Sequence, residues 1–334
     1  MLDRVVESDL PAVRQMQLPK SMQSFFFPKF GVFAVAYGAM ATFPLFFGDS
    51  SLFLTTDLLI MALFACSFNL IFGKAGMLSF GHAAFYGGGA YMVALLQART
   101  GLPFWVGFVS APVTAGLVAL GLGITITRVG GIILAMVTLA FGQLVYTLAT
   151  ALYDYTGGDD GLPVNLPAWL LNSGYAFEFV LIIVTFCLIF LYVVWQSAFG
   201  MALEAIQDNP QRASYVGLNI KAYRVAAFVI AGSLAGVAGA LRAVTQQMAF
   251  PGLLHWSQSA EPVLMTLIGG VETFVGPIIG AAFFVLFNFY LTSTTDYPLL
   301  AFGILVLLSV LFLPQGLAGS FIQFWKGWGR APKQ

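Results

Sequence analysis

Charge is the scarcest property of this chain. Only 14 Lys and Arg and 14 Asp and Glu occur among 334 residues, 8% in all, against roughly 25% in soluble domains. The two signs cancel, so no large basic face exists and nucleic acid is not an expected partner. Cysteine is nearly absent too. Cys66 and Cys187 both lie inside apolar runs, where a thiol serves as a small core residue rather than half of a disulfide or metal pair. The two histidines, His82 and His255, stand far apart with no further ligands at metal spacing, which argues against a metal site. No nucleophile or acid–base pair groups with them, and the chain reads as a non-enzyme.

What fills the space is hydrocarbon. Hydrophobic residues make up 59% of the chain, the mean hydropathy is +0.89, and several apolar runs approach the ~20 residues that cross a bilayer as a helix. The expectation is an all-α, polytopic membrane bundle of about ten spans, near 28–48, 52–72, 78–98, 104–126, 130–151, 176–196, 224–247, 260–270, 276–293 and 298–314. The eighth is too short to cross alone and runs into Gly269-Gly270. It is either tilted in a thinned region or half of a broken helix covered by protein. Lys and Arg near span ends put both termini and the stretch 198–222 in the cytoplasm, while the loops 152–175 and 248–259, free of Lys and Arg, fall outside. Residues 1–27 read as a polar cytoplasmic tail, 28–318 as one transmembrane domain, and 319–334 as an interfacial tail. In that tail Phe321, Phe324, Trp325 and Trp328 sit beside Lys326 and Arg330.

One polar stretch interrupts the grease. In "EAIQDNPQRASYVGLNIKAYR", Glu204–Arg224, a helical run through Ala202, Leu203, Ala205 and Ile206 is broken by Asp208-Asn209-Pro210, which offers an N-cap and an N1 proline. Ala213, Val216, Gly217 and Ile220 then recur at helical spacing over 211–220. Two readings stand: a solvated loop lying on the headgroups, or a rigid helix that a cytoplasmic partner grips. In the second, Gly217 is small because a partner or the preceding turn approaches its backbone.

The segment "FGMALEAIQDNPQRASYVGLNIKAYRVAAFVIAGSLAGVAGAL" resembles the signature of bacterial ABC importer permeases for branched-chain amino acids. Ala213 and Gly217 fall at the alanine and glycine of its coupling loop. "GKAGMLSFGHAAFYGGGAYMVALL", "GGIILAMVTLAFGQL" with "TGGDDGL", and "SAEPVLMTLIGGVETFVGPIIGAAFF" are similar to three further family blocks, in the family's order. The resemblance covers roughly residues 52–317 and favours the LivM-like member of the LivH/LivM pair. It implies a coupling helix in 198–222 built on Glu204, Asp208, Asn209, Arg212, Ala213 and Gly217. It implies partners as well: a LivH-like second permease, two ATPases that bind ATP and Mg²⁺, and an external substrate-binding protein, all at the bacterial inner membrane. Gln207 and Gln211 depart from charged residues common in that loop, and Glu272 replaces a glycine in the Gly269-Gly270 turn.

The chain itself carries no nucleotide site or other cofactor. "GKAG" at Gly73–Gly76 lacks the upstream glycine of a phosphate-binding loop and has Ala75 where a Mg²⁺-binding hydroxyl belongs. Candidate path residues are Ser79 and His82, read as sharing one helix face, and Gly269, Gly270 and Glu272 in the break before Gly276-Pro277, since breaks of this kind mark substrate routes. Against these stand structural hydrogen bonding for Ser79 and His82 and simple solvation for Glu272. The pairs Gly232/Gly236 and Gly276/Gly280 read as tight helix contacts. Asp57, Glu178 and Glu261 read as interfacial, which weighs against an ion-coupled secondary transporter. Import of urea, amides or other small polar solutes remains the alternative to amino acids.

Overall fold

The computed structural model describes residues 48–126 and 130–294, with isolated positions 297, 300, 303, 304, 307, 316 and 317 beyond them. Helix α1, Asp49–Asn69, widens into a π turn, Leu70–Lys74. It is followed by α2 (His82–Thr100), α3 (Phe104–Ile126), α4 (Ile132–Ala151) and α5 (Ser173–Gln196). Two short helices, α6 (Ala198–Asp208) and α7 (Pro210–Tyr215), lead into α8 (Ile220–Gln246). The order closes with α9 (Trp256–Gly269) and α10 (Gly276–Thr294).

Helix α8 is the hub, packed on α3, α2 and α1. A Cβ on Gly239 would collide with the Tyr86 carbonyl oxygen of α2, and one on Gly89 with the carbonyl of Gly236. Between apolar helices in lipid, packing has to replace hydrophobic drive, and glycine supplies it by letting backbones touch. The contact expected of Gly232 and Gly236 is present: their faces meet Ala119 and Ala115 of α3. The α9–α10 hairpin follows the same rule, with Gly280 against the Met265 carbonyl and Gly269 against that of Gly276.

The outer surface is apolar. Val109, Val113 and Leu117, one turn apart on α3, are exposed, as are Ile132 and Met136 on α4 and Phe186 on α5. A soluble monomer rarely shows so large an apolar face; a lipid-facing bundle requires one.

The described residues account for part of the expected spans. Among the described residues, five helices are long and apolar enough to cross a membrane, at 51–74, 104–126, 132–151, 173–196 and 220–246. The expected spans 28–48 and 298–314 lie outside the described residues or nearly so. The expected third span, 78–98, is helical only from His82, because residues 76–81 run as non-helical chain. The eighth is a 14-residue helix that stops at Gly270, whose φ of 114° breaks helical geometry.

Two ends can be told apart. Leu162 pairs with Ala249 and Pro163 with Met248 in a short antiparallel ladder, which joins the loops 152–175 and 248–259 at one end, the ladder end. At the other, Lys74 pairs with Glu204, and Asn69 Nδ2 donates to the Thr273 carbonyl at 3.3 Å.

Gly239→Ala should lower the stability of the purified protein by about 1–3 kcal/mol through overpacking, read as an earlier thermal unfolding transition in detergent. Gly88→Ala, with no atom within 4 Å of its added carbon, should leave that transition in place.

Candidate functional site

The stretch from the π turn to α2 leaves helical geometry inside the bundle, and hydrocarbon supplies no partners for the amides this frees. Protein groups do. Met77 N donates to the Ile71 carbonyl at 2.9 Å, Phe80 N to Thr138 Oγ1 of α4 at 3.0 Å, and Ala83 N to Ser259 Oγ of α9 at 2.8 Å. Gly81 N turns back to Ser79 Oγ at 3.4 Å. Ser79, Thr138 and Ser259 are all fully buried. Ser79 and His82 therefore do not share a helix face, because Ser79 precedes the helix.

His82 opens α2 and is completely enclosed. Its Nε2 lies 3.0 Å from Ser67 Oγ of α1, and that hydroxyl already donates to the Phe64 carbonyl at 2.7 Å. The hydrogen-bond pattern thus puts the imidazole proton on Nε2. Phe64, Phe68 and Phe85 surround the ring at centroid distances of 5.3, 5.6 and 5.8 Å. In this conformation Ser79 and His82 hold the interrupted segment together, and neither faces open space.

Outside the bundle, α6 is clamped onto the π turn. Ser197 caps α6 by accepting from Gly200 N at 3.4 Å, and Ala202, Leu203 and Ile206 bury its inner face. Glu204 pairs with Lys74, whose ammonium also lies 4.9 Å from the Trp195 ring centre. The Gln207 amide faces the carbonyls of Gly73 and Lys74; with its oxygen and nitrogen interchanged, the assignment that suits its surroundings, the nitrogen donates to them at 2.9 and 3.2 Å. Those carbonyls lose helical partners where the helix ends, so Gln207 has an internal task that its polarity alone did not reveal.

Asn209 caps α7 as expected, accepting from Arg212 N at 3.0 Å, with Pro210 in the first turn. The helix covers 210–215 rather than 211–220. Ala213 is buried, whereas Tyr215 and Val216 are 88% and 82% exposed, which corrects the expected apolar face. Gly217 is corrected as well. It stands after the helix with φ +90° and no atom within 4 Å of an added Cβ. A left-handed turn explains this glycine, not a close neighbour. Asp208 and Arg212 are exposed, and so is Glu272 in the turn between α9 and α10. Gly269 and Gly270 are buried and form that turn.

Of the acids read as interfacial, Glu178 is exposed, whereas two others are drawn into a cavity. Asp57 pairs with Arg242, a cation four residues before the end of α8, and Glu261 accepts from Gln258 beside them. These side chains line one cavity with Asn288 of α10. A lone arginine inside the apolar run "GALRAV" was the available signal, since intramembrane charge is rare and expensive without a role.

Helices interrupted inside a lipid-facing bundle, with a polar cavity between them, define a membrane transport protein. Residues 50–313 match the family described as branched-chain amino acid transport system, permease component, and the chain belongs to that family. It is 26% identical over 316 residues to the high-affinity branched-chain amino acid permease protein LivM of Escherichia coli K12, covering 86% of this chain and 74% of the relative. The permease protein BraD of Pseudomonas aeruginosa is 24% identical, covering 77% and 91%. A nucleoside ABC transporter permease, NupC of Lactococcus lactis, shares 42% identity over 52 residues, 16% of each chain. No solved structure matches the chain significantly.

Thr138→Val keeps the shape of the side chain but strands the Phe80 amide, at a cost of about 1–3 kcal/mol for an unpaired buried donor. The expected result is reduced thermal stability in detergent, with Thr138→Ser close to the parent.

Proposed function

We propose that this chain is the LivM-like permease subunit of an ATP-driven importer for branched-chain amino acids. It works in the plasma membrane with a second permease, two ATPases and an external binding protein. The ladder end faces outward and the α6–α7 end faces the cytoplasm, together with both termini. The observation that carries the reading is the clamp of α6 on the π turn, within a chain whose family match runs from 50 to 313.

The clamp supplies a mechanical route. An ATPase gripping α7 through Tyr215 and Val216 pulls on α6, which the Asn209 cap and Pro210 join at a fixed angle. Lys74–Glu204 and Gln207 pass that pull to the π turn. From there the non-helical segment 76–81 and the neighbouring turn at 271–273 can shift. The segment's amides are held by single hydrogen bonds, Met77 N to the Ile71 carbonyl, Phe80 N to Thr138 Oγ1 and Gly81 N to Ser79 Oγ, rather than by a helical ladder, so a displacement breaks few contacts. Gly269, Gly270 and Glu272 lie within reach of that displacement, at the inner mouth of the path. Ser79 and His82 contribute by setting where the helix begins. A permease for other polar solutes would use the same route, as the nucleoside relative suggests.

The test is reconstitution. Proteoliposomes holding both permeases, the ATPases and the binding protein should accumulate leucine on ATP addition, and this chain alone should not. Tyr215→Asp with Val216→Asp should abolish ATPase association and uptake without changing expression, since both side chains are exposed. Gly217→Asn, which tolerates a left-handed backbone, should retain uptake; Gly217→Val should lose most of it. Full uptake by the double aspartate variant would exclude α7 as the coupling helix.

A further inference from the structure

A cavity of about 410 Å³ lies between α1, α8, α9 and α10, within the usual range for small-ligand sites of roughly 300–1,000 Å³. Asp57 stands sixteen residues before Gly73 along the α1 and π-turn run, about 24 Å away at helical rise, so the cavity sits toward the ladder end. Arg242, near the end of α8, and Glu261, near the start of α9, agree with that placement.

The walls differ in kind. One side carries Asp57, Arg242, Gln258, Glu261 and Asn288. The other is aliphatic and aromatic, with Leu54, Met61, Val285 and Phe289. On the polar side two carboxylates face one guanidinium. Arg242 uses Nη1 for Asp57, while its Nε is buried and has no hydrogen-bond partner. Gln258 reaches Oε1 of Glu261. The site thus holds an unused guanidinium edge beside a carboxylate with no salt-bridge partner among the described residues, in a buried setting where uncompensated charge is costly.

We propose that this cavity is a subsite for a free zwitterionic amino acid during translocation. Its carboxylate bonds the Nε edge of Arg242, its ammonium meets Glu261, and a branched aliphatic side chain lies against Leu54, Met61 and Val285. Such an occupant leaves the site's net charge unchanged, but it gives the free Arg242 edge an acceptor and Glu261 a cation, and it carries the apolar group the opposite wall fits. An inorganic cation would answer Glu261 but leave the Arg242 edge and the apolar wall unused. The inference rests on the importer reading above and adds to it the place where the solute pauses.

The experiment uses the complete importer in proteoliposomes, with tritiated leucine and a diazirine-bearing leucine analogue as probes. In the parent, photo-adducts should map to residues 53–61 and 284–289. Glu261→Gln should cut uptake about tenfold or more, the factor that ~1.4 kcal/mol of lost binding produces. Its ATPase stimulation by the loaded binding protein should persist. Asn288→Trp, at an exposed position on the cavity rim, should narrow the mouth and lower both uptake and adduct yield without affecting assembly. Adducts elsewhere, or uptake in Glu261→Gln equal to the parent, would overturn the subsite and leave the importer reading standing. Uptake that requires a sodium gradient would also overturn it, by assigning Glu261 to the cation. Absence of any leucine uptake by the parent would overturn both.

Discussion

A backbone amide freed from a helix inside a bilayer needs a protein partner, because no water reaches it, and residues 76–83 free several such amides at once. Their solution is hydroxyl side chains delivered from elsewhere: Thr138 from α4, Ser259 from α9, and Ser79 from the segment itself. The positions of α4 and α9 relative to α2 follow from those bonds. The same need explains why residues so polar are completely buried in a chain so apolar. Take those hydroxyls away and the amides of Phe80 and Ala83 lose their acceptors, at about 1–3 kcal/mol for each buried unpaired donor.

Glycine makes the arrangement compact enough for those short bonds to reach. Gly89, Gly236 and Gly239 let α2 and α8 meet backbone to backbone, and Gly269 and Gly280 do the same for α9 and α10. Close approach and interruption are therefore two parts of one design: tight packing brings a segment whose amides lack backbone acceptors within reach of distant hydroxyls. Helix α8, which touches α1, α2 and α3, holds the interrupted region in place from behind.

Much of this was legible in the residues. Apolar run lengths located α1, α3, α4, α5 and α8, and the Asp208-Asn209-Pro210 signal located the start of α7. Glycine spacing marked Gly232 and Gly236 as positions of tight helix contact, but not which helix they meet. Other features were not legible because they depend on partners distant in sequence. Ser79 and His82 fit a helical spacing, and only the acceptor on Thr138 makes a non-helical path to His82 affordable. Gly217 fitted a helix interior until its positive φ showed a turn. Gln207 looked like a surface substitution, although the carbonyls it caps lie more than a hundred residues away in the chain. Asp57 and Glu261 were judged by distance from span ends, which cannot show that Arg242 draws both toward one cavity.

Helix α1 connects the two ends of the molecule. Near the ladder end it presents Asp57 to Arg242, and at the other end its π turn receives Lys74–Glu204 and the Gln207 cap. Between them lie Phe64, Ser67 and Phe68, the groups that enclose His82. A helix resists compression along its axis because its hydrogen-bond ladder runs that way, whereas a π turn and a non-helical segment do not resist in the same manner. A displacement applied through α6 consequently has two outlets: it can be absorbed in residues 70–82, or it can move α1 as a rod and disturb the Asp57–Arg242 pair. Which outlet dominates depends on how firmly His82 is held. A buried imidazole with one hydrogen bond and three aromatic neighbours resists sliding past α1 through packing more than through polar bonding. In the coupling route proposed above, the aromatic cage around His82, built from Phe64 and Phe68 of α1 and Phe85 of α2, is the contact that would tie the interrupted segment to α1 and through it to the charged cavity at the far end.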